Sequence, residues 1–227
     1  MTKLAATRDG FGQGMQEIAA SNSGVYVVCA DLTESMRLTN FEEQFPDQFV
    51  QVGVAEQNLI GVAAGLALAG KIPFAASFAV FSPGRSWDQI RVSVAYSNLN
   101  VKIVGGHAGL STGPDGATHQ ALEDIAMMRC LPNMKVLVPC DADQAKQMVD
   151  TLATDIGPAY LRLSRPKLPT VTADIKFELG KAQTLLEGKD LTLIARSGYD
   201  CRGNSIDPCQ LLLSYPFSNI IAIGRYS

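Results

Sequence analysis

The sequence predicts an α/β fold: a mainly parallel sheet with helices on both faces. Five short runs are apolar throughout, instead of alternating with polar residues, as strands covered on both faces must be. Segments of about three helical turns separate them, long enough for the crossovers that parallel strands need. The 227 residues, 47% hydrophobic and 18% charged, can fill one sizeable core and exceed one domain by about half.

Arg8 to Ala20 is the first predicted helix. VYVVCA, Val25 to Ala30, follows as a strand rich in β-branched residues. Ala55 to Ala69 is the second helix, and its 11-residue apolar run from Leu59 reads as buried, too short for the roughly 20 residues of a membrane span. IPFAASF (Ile72 to Phe78), VKIVGG (Val101 to Gly106), KVLVPC (Lys135 to Cys140) and AYLRL (Ala159 to Leu163) complete the strands. Ser86 to Tyr96, Ala121 to Cys130 and Asp143 to Thr154 are the intervening helices. Residues 1–166 therefore form one module. The alternation stops near Ser164, so 167–190 reads as a linker with a short hairpin or paired strands. LTLIA at Leu191 to Ala195 opens a second α/β domain, which 191–227 contain only as a truncated or frameshifted start. After Ala195 there is no Lys, no Glu and no helical period.

Composition narrows the function. A net charge of -3, from 19 basic and 22 acidic residues, gives no general attraction for nucleic acid or an anionic membrane. MTKLAATRDG lacks the apolar core of a secretory signal, so a cytoplasmic location is expected. Five cysteines with no CxxC and no Cys/His cluster argue against a disulfide framework or a zinc site. Cys29, Cys130 and Cys140 have apolar neighbours and read as buried thiols.

Ligands of open parallel sheets bind beyond the carboxyl ends of the strands, here the loops after Ala30, Phe78 and Gly106. The last loop, GGHAGLSTGPDGATHQ, carries both histidines of the chain, His107 and His119, with Asp115 and five glycines. Those groups can orient hydroxyls or a phosphate; the alternative is a glycine-rich turn with solvated histidines. No cysteine or carboxylate stands at metal-ligand spacing from them. Glu56 opens the apolar helix, either as an acid/base group at the mouth of the sheet or simply as a carboxylate favoured by the helix dipole. Phe78 and Phe81 suit an aromatic wall for a flat ring, or core packing. Arg8, Ser35 and Arg165 lie at element ends and suit phosphate binding, or surface salt bridges.

Together TRDGFG, DLTES, GVAEQNLIGVAAGLALAGKIPF, the long run from SFAVFSPGRSWDQ through GGHAGLSTGPDGATHQ to MKVLVP, and SRP resemble the pyrimidine-binding module of transketolase. The form resembled is the separate C-terminal subunit of a split enzyme. The resemblance runs in order from about residue 5 to about 195. It implies the thiamine-diphosphate-binding fold, with the cofactor shared with a diphosphate-binding module on another chain. In the family, a glutamate at the position of Glu56 hydrogen-bonds N1' of the aminopyrimidine and so promotes deprotonation of the thiazolium. By the same matching Phe78 and Phe81 contact that ring, and Asp31 lies close by. His107, Asp115 and His119 meet the sugar, with the two histidines catalytic, and Arg8, Ser35 and Arg165 hold its phosphate. Pro114 replaces the usual acidic residue before Asp115.

The glycine-aspartate-asparagine motif that holds Mg2+ and the diphosphate is absent from this chain. The resemblance therefore implies an N-terminal diphosphate-binding transketolase subunit as partner, in a homodimer or heterotetramer, and no activity alone. The implied reaction moves a two-carbon ketol unit from a ketose phosphate to an aldose phosphate, as in the pentose phosphate pathway. A deoxyxylulose-phosphate synthase or a 2-oxo acid dehydrogenase beta subunit remains as an alternative. So does a non-catalytic or assembly-defective subunit, because of the tail.

Overall fold

A computed structural model of the chain describes residues 4–186, 191–195 and 218–223. Its centre is a six-stranded sheet in the order β3-β2-β4-β5-β7-β6, with every neighbouring pair parallel. The strands are β2 (Val25–Cys29), β3 (Phe49–Gln51), β4 (Ile72–Phe78), β5 (Lys102–Gly106), β6 (Lys135–Leu137) and β7 (Ala159–Arg162). Five of them answer the five apolar runs. The sixth, β3, is only three residues long and half-buried, too short to stand out by composition.

Because strand side chains alternate, each strand feeds two cores. Val25, Val27, Phe74, Ala76, Val104 and Leu161 pack against α1 (Thr7–Ala19) and α6 (Ala142–Thr154). Val28, Ala75, Ile103 and Tyr160 pack on the other face, against α3 (Glu56–Leu68), α4 (Trp87–Gln89) and α5 (Asp124–Arg129). The helices α1 and α6 approach closely: a Cβ on Gly10 would lie 1.9 Å from the Ala142 carbonyl oxygen. Helix α2 (Thr39–Gln44) and the pair of β1 (Leu4–Ala6) with β8 (Lys167–Pro169) were not expected.

Several expectations change. Helix α3 is buried on one face only. Leu59, Ile60 and Ala63 are enclosed, whereas Leu68 is 75% exposed and Gly61 and Gly65 face open space. An apolar outer face hid the helical period. The segment expected at Ser86 to Tyr96 is α4, continuing as a π-helix over Ile90–Tyr96. Trp87 donates its indole N–H to the Met127 carbonyl of α5. Helix α5 ends at Arg129, which leaves Cys130 exposed rather than buried, and Cys140 is half-buried; among the described residues Cys29 is the one enclosed cysteine.

Much of 167–183 packs on the module. β8 pairs with β1, and Phe177 is 5% exposed within the α1/α6 core. Beyond it, β9 (Ala182–Leu186), β10 (Leu191–Ala195) and β11 (Ser218–Ile223) form a second sheet in the order β10-β11-β9. Most of the tail expected as a truncated or frameshifted domain, 196–217 and 224–227, lies outside the described residues.

Candidate functional site

The chain leaves β2, goes to one side to form β3, and returns past β2 to form β4, so the strand order reverses between β2 and β4. Loops beyond the carboxyl ends of β2, β4 and β5 gather there, as the topology requires. Glu56, the first residue of α3, is 5% exposed. Arg85 Nη1 stands 3.2 Å from both of its carboxylate oxygens. Burying a carboxylate is costly without a partner, and this guanidinium supplies one. Arg85 also lies over the Phe81 ring, 4.4 Å from its centroid.

The row continues through the rings. Phe81 stacks on Phe78 with centroids 6.0 Å apart, and Phe78 meets His107 at 4.0 Å. His119 stands edge-on to both phenyl rings. Its Nδ1 is 2.9 Å from the Thr118 hydroxyl. Arg8, in the first turn of α1, donates from Nη1 to the Ser35 carbonyl at 2.9 Å and faces His107 Nε2 at 3.2 Å. Glu56, Arg85, Phe81, Phe78, His107 and Arg8 thus make one unbroken line of contacts across the strand ends.

His107 follows β5 directly, in the left-handed region at φ 55°, and is 3% exposed. Burial, then the charges of Arg8 and Arg165, lower its pKa to about 4, with Asp115 opposing and Arg37 adding. Neither His107 Nδ1 nor Arg8 Nε, both buried, has a partner among the described residues. Arg165 donates to the Thr112 carbonyl at 2.9 Å and leans on Gly113, whose φ of 83° and close guanidinium suit glycine alone.

The site residues expected from sequence are not all equally placed. Asp115 is exposed on its loop, and Asp31 is exposed with φ 58°, its N–H given to Gln51. Ser35 contributes its carbonyl to the Arg8 contact. Among the described residues, no three His, Cys, Asp or Glu side chains could hold a metal ion.

Two features were not singled out from sequence. One is Arg85, which stands within the SFAVFSPGRSWDQ run; only the burial of Glu56 shows why a cation is needed there. The other underlies the glycine loop, where Asp124 accepts from the Tyr160 hydroxyl and Arg162 Nε, each at 2.8 Å. Arg162 also reaches the Ala121 carbonyl at the loop's end, and a Cβ on Gly105 would lie 2.3 Å from the Tyr160 hydroxyl.

Residues 3–171 match the family described as transketolase, pyrimidine binding domain. A putative transketolase C-terminal section from Methanocaldococcus jannaschii is 46% identical over 202 residues, covering 86% of this chain and 64% of that protein. One of the subunits of an apulose-4-phosphate transketolase from Phocaeicola vulgatus is 42% identical over 194 residues, 85% of this chain and 62% of that one. A 6-deoxy-6-sulfo-D-fructose transketolase subunit from Clostridium sp. is 41% identical over 189 residues, 83% and 59% respectively. The chain spans about three fifths of the length of these relatives. Among solved structures, a split gene transketolase described as an inactive beta4 tetramer superposes with a TM-score of 0.84 at 41% identity, covering 97% of this chain and 72% of that one. The transketolase of Leishmania mexicana shares the fold, with a TM-score of 0.82 at 22% identity, covering 99% of this chain and 35% of that one.

Proposed function

The chain belongs to the transketolase pyrimidine-binding domain family, and from that premise we propose that it is the pyrimidine-facing subunit of a split, thiamine-diphosphate-dependent transketolase. With a diphosphate-binding partner it moves a two-carbon ketol unit from a ketose phosphate to an aldose phosphate. The observation that carries this reading is the buried carboxylate of Glu56, linked through Arg85 to the stacked rings of Phe81 and Phe78.

That donor set fits an aminopyrimidine: a carboxyl group for a ring nitrogen, and phenyl faces for the flat ring. Bound there, thiamine diphosphate supplies the carbanion-stabilising centre for carbon–carbon bond cleavage and formation. With Arg85 drawn off its carboxylate, Glu56 would hold a proton at the pyrimidine nitrogen, and Asp31 would lie near the site. Phe78 and Phe81 wall the ring and exclude water. His107, His119 and Asp115 meet the sugar oxygens, and Arg8, Arg165 and Ser35 hold the phosphate. Mg2+ and the diphosphate belong to the partner. In this reading 1–166 form the cofactor-facing module, 167–190 join it to the domain that opens at 191, and the assembly, a homodimer or heterotetramer, works in the cytoplasm. Leu68, the exposed large apolar side chain of α3, lies on the outer face of the helix, where a partner subunit would cover it.

The test is reconstitution. The full chain, a diphosphate-binding subunit, thiamine diphosphate and Mg2+ should together turn over a ketose phosphate and an aldose phosphate, while the chain alone does not. Glu56→Gln should lower kcat by about 100-fold or more, the usual scale for a lost proton-transfer partner. An undiminished rate would remove Glu56 from its role. Turnover of pyruvate with no turnover of a ketose phosphate would reassign the donor.

A further inference from the structure

The contact between Arg8 and His107 decides where the proton of the imidazole sits. A guanidinium has donors and no acceptor, so the Nε2 that faces Arg8 Nη1 at 3.2 Å must present its lone pair. The proton of the neutral ring then lies on Nδ1, which is buried and without a partner among the described residues. The surroundings oppose a second proton. Arg8 from α1, Arg165 beyond β7 and Arg37 in the loop after β2 are three cations acting on the ring. Asp115 opposes them, and it is exposed. Phe78 of β4 covers the ring at 4.0 Å.

We infer that Arg8 fixes His107 as the neutral tautomer protonated on Nδ1, a ring that presents a donor on Nδ1 and takes up no second proton near neutrality. His119 is half-buried, with the Thr118 hydroxyl at its Nδ1. The roles toward substrate rest on the transketolase reading; the tautomer does not.

The sequence contains two histidines, so a histidine 15N-labelled full chain shows two imidazoles, and His119→Gln leaves that of His107. The expected spectrum has Nδ1 protonated and Nε2 bare, unchanged between about pH 5 and pH 8, where an ordinary histidine titrates. Arg8→Lys, still a pure donor, should keep that pattern. Arg8→Gln, whose carboxamide can accept, should shift His107 toward protonation on Nε2. An Nε2-protonated or doubly protonated His107 in the wild-type chain near neutrality overturns the inference, as does an unchanged pattern in Arg8→Gln. Should Arg8→Gln fail to fold, the wild-type spectrum still decides. The measurement needs neither cofactor nor turnover, so its failure leaves the transketolase reading intact, and failure of that reading leaves the tautomer intact.

Discussion

Lys102 is fully enclosed, and its ammonium donates to the Asp155 and Gly157 carbonyls at 2.7 Å each. Burial pulls its pKa down to about 8, with Asp155 opposing and Lys135 adding. Above that value the folded chain has released a proton that the unfolded chain still binds, so stability rises with pH up to the unfolded pKa. This contribution is complete above the unfolded value and is lost as pH falls through about 8. Urea unfolding at about pH 7 and about pH 10 should therefore show wild type gaining on Lys102→Met at the higher pH. An unchanged gap between the two proteins would contradict the assignment. Single residues were legible in the sequence where chemistry is local. Glu56 opening an apolar helix and Phe78 ending a strand stand where their local pattern puts them, with Phe81 in the turn just beyond. Arg85 was not legible, because its reason for being there is a carboxylate 29 residues away that only the fold buries beside it.

Helix α6 begins on a single carboxylate with several duties. Asp141 caps it by accepting the Gln144 N–H at 2.8 Å, and it also accepts the N–H groups of Val171 and Thr172 at 2.7 and 2.8 Å. One residue thus starts the helix and fastens the segment after β8 to it. Asp141→Ala removes an ordinary cap, worth about 1 kcal/mol, and leaves buried N–H groups unpaired, so the expected loss is about 3 kcal/mol by urea unfolding. A loss no larger than that of a simple cap would mean that 171–172 find other partners. At this scale the sequence speaks where a strand is apolar on both sides, as in β2, β4, β5 and β7. It is silent for β1, β3 and β8, whose three residues each carry no period to detect. The length expected for Ala121 to Cys130 was wrong because the glycine loop extends to the Gly109–Ala121 bridge and postpones α5 to Asp124.

For the whole molecule, the all-parallel sheet was readable from its uniformly apolar strands. The outward face of α3 was not, because a residue apolar for a partner and one apolar for the core look alike in sequence. Leu68→Glu distinguishes them. At 75% exposure the change should move stability by no more than about 0.5 kcal/mol while reducing the sedimentation coefficient of the assembled protein. An assembly of undiminished size would place the interface elsewhere. The bond from Trp87 to Met127 has a practical corollary. The chain's only indole sits two residues from Arg85 and is tethered to α5. If thiamine diphosphate draws the guanidinium off Glu56, as the proposed function implies, the backbone link through Ser86 should carry the change to that indole, and its emission, with no label attached, is expected to shift on adding the cofactor to the assembled protein; unchanged emission would leave Arg85 and Trp87 uncoupled.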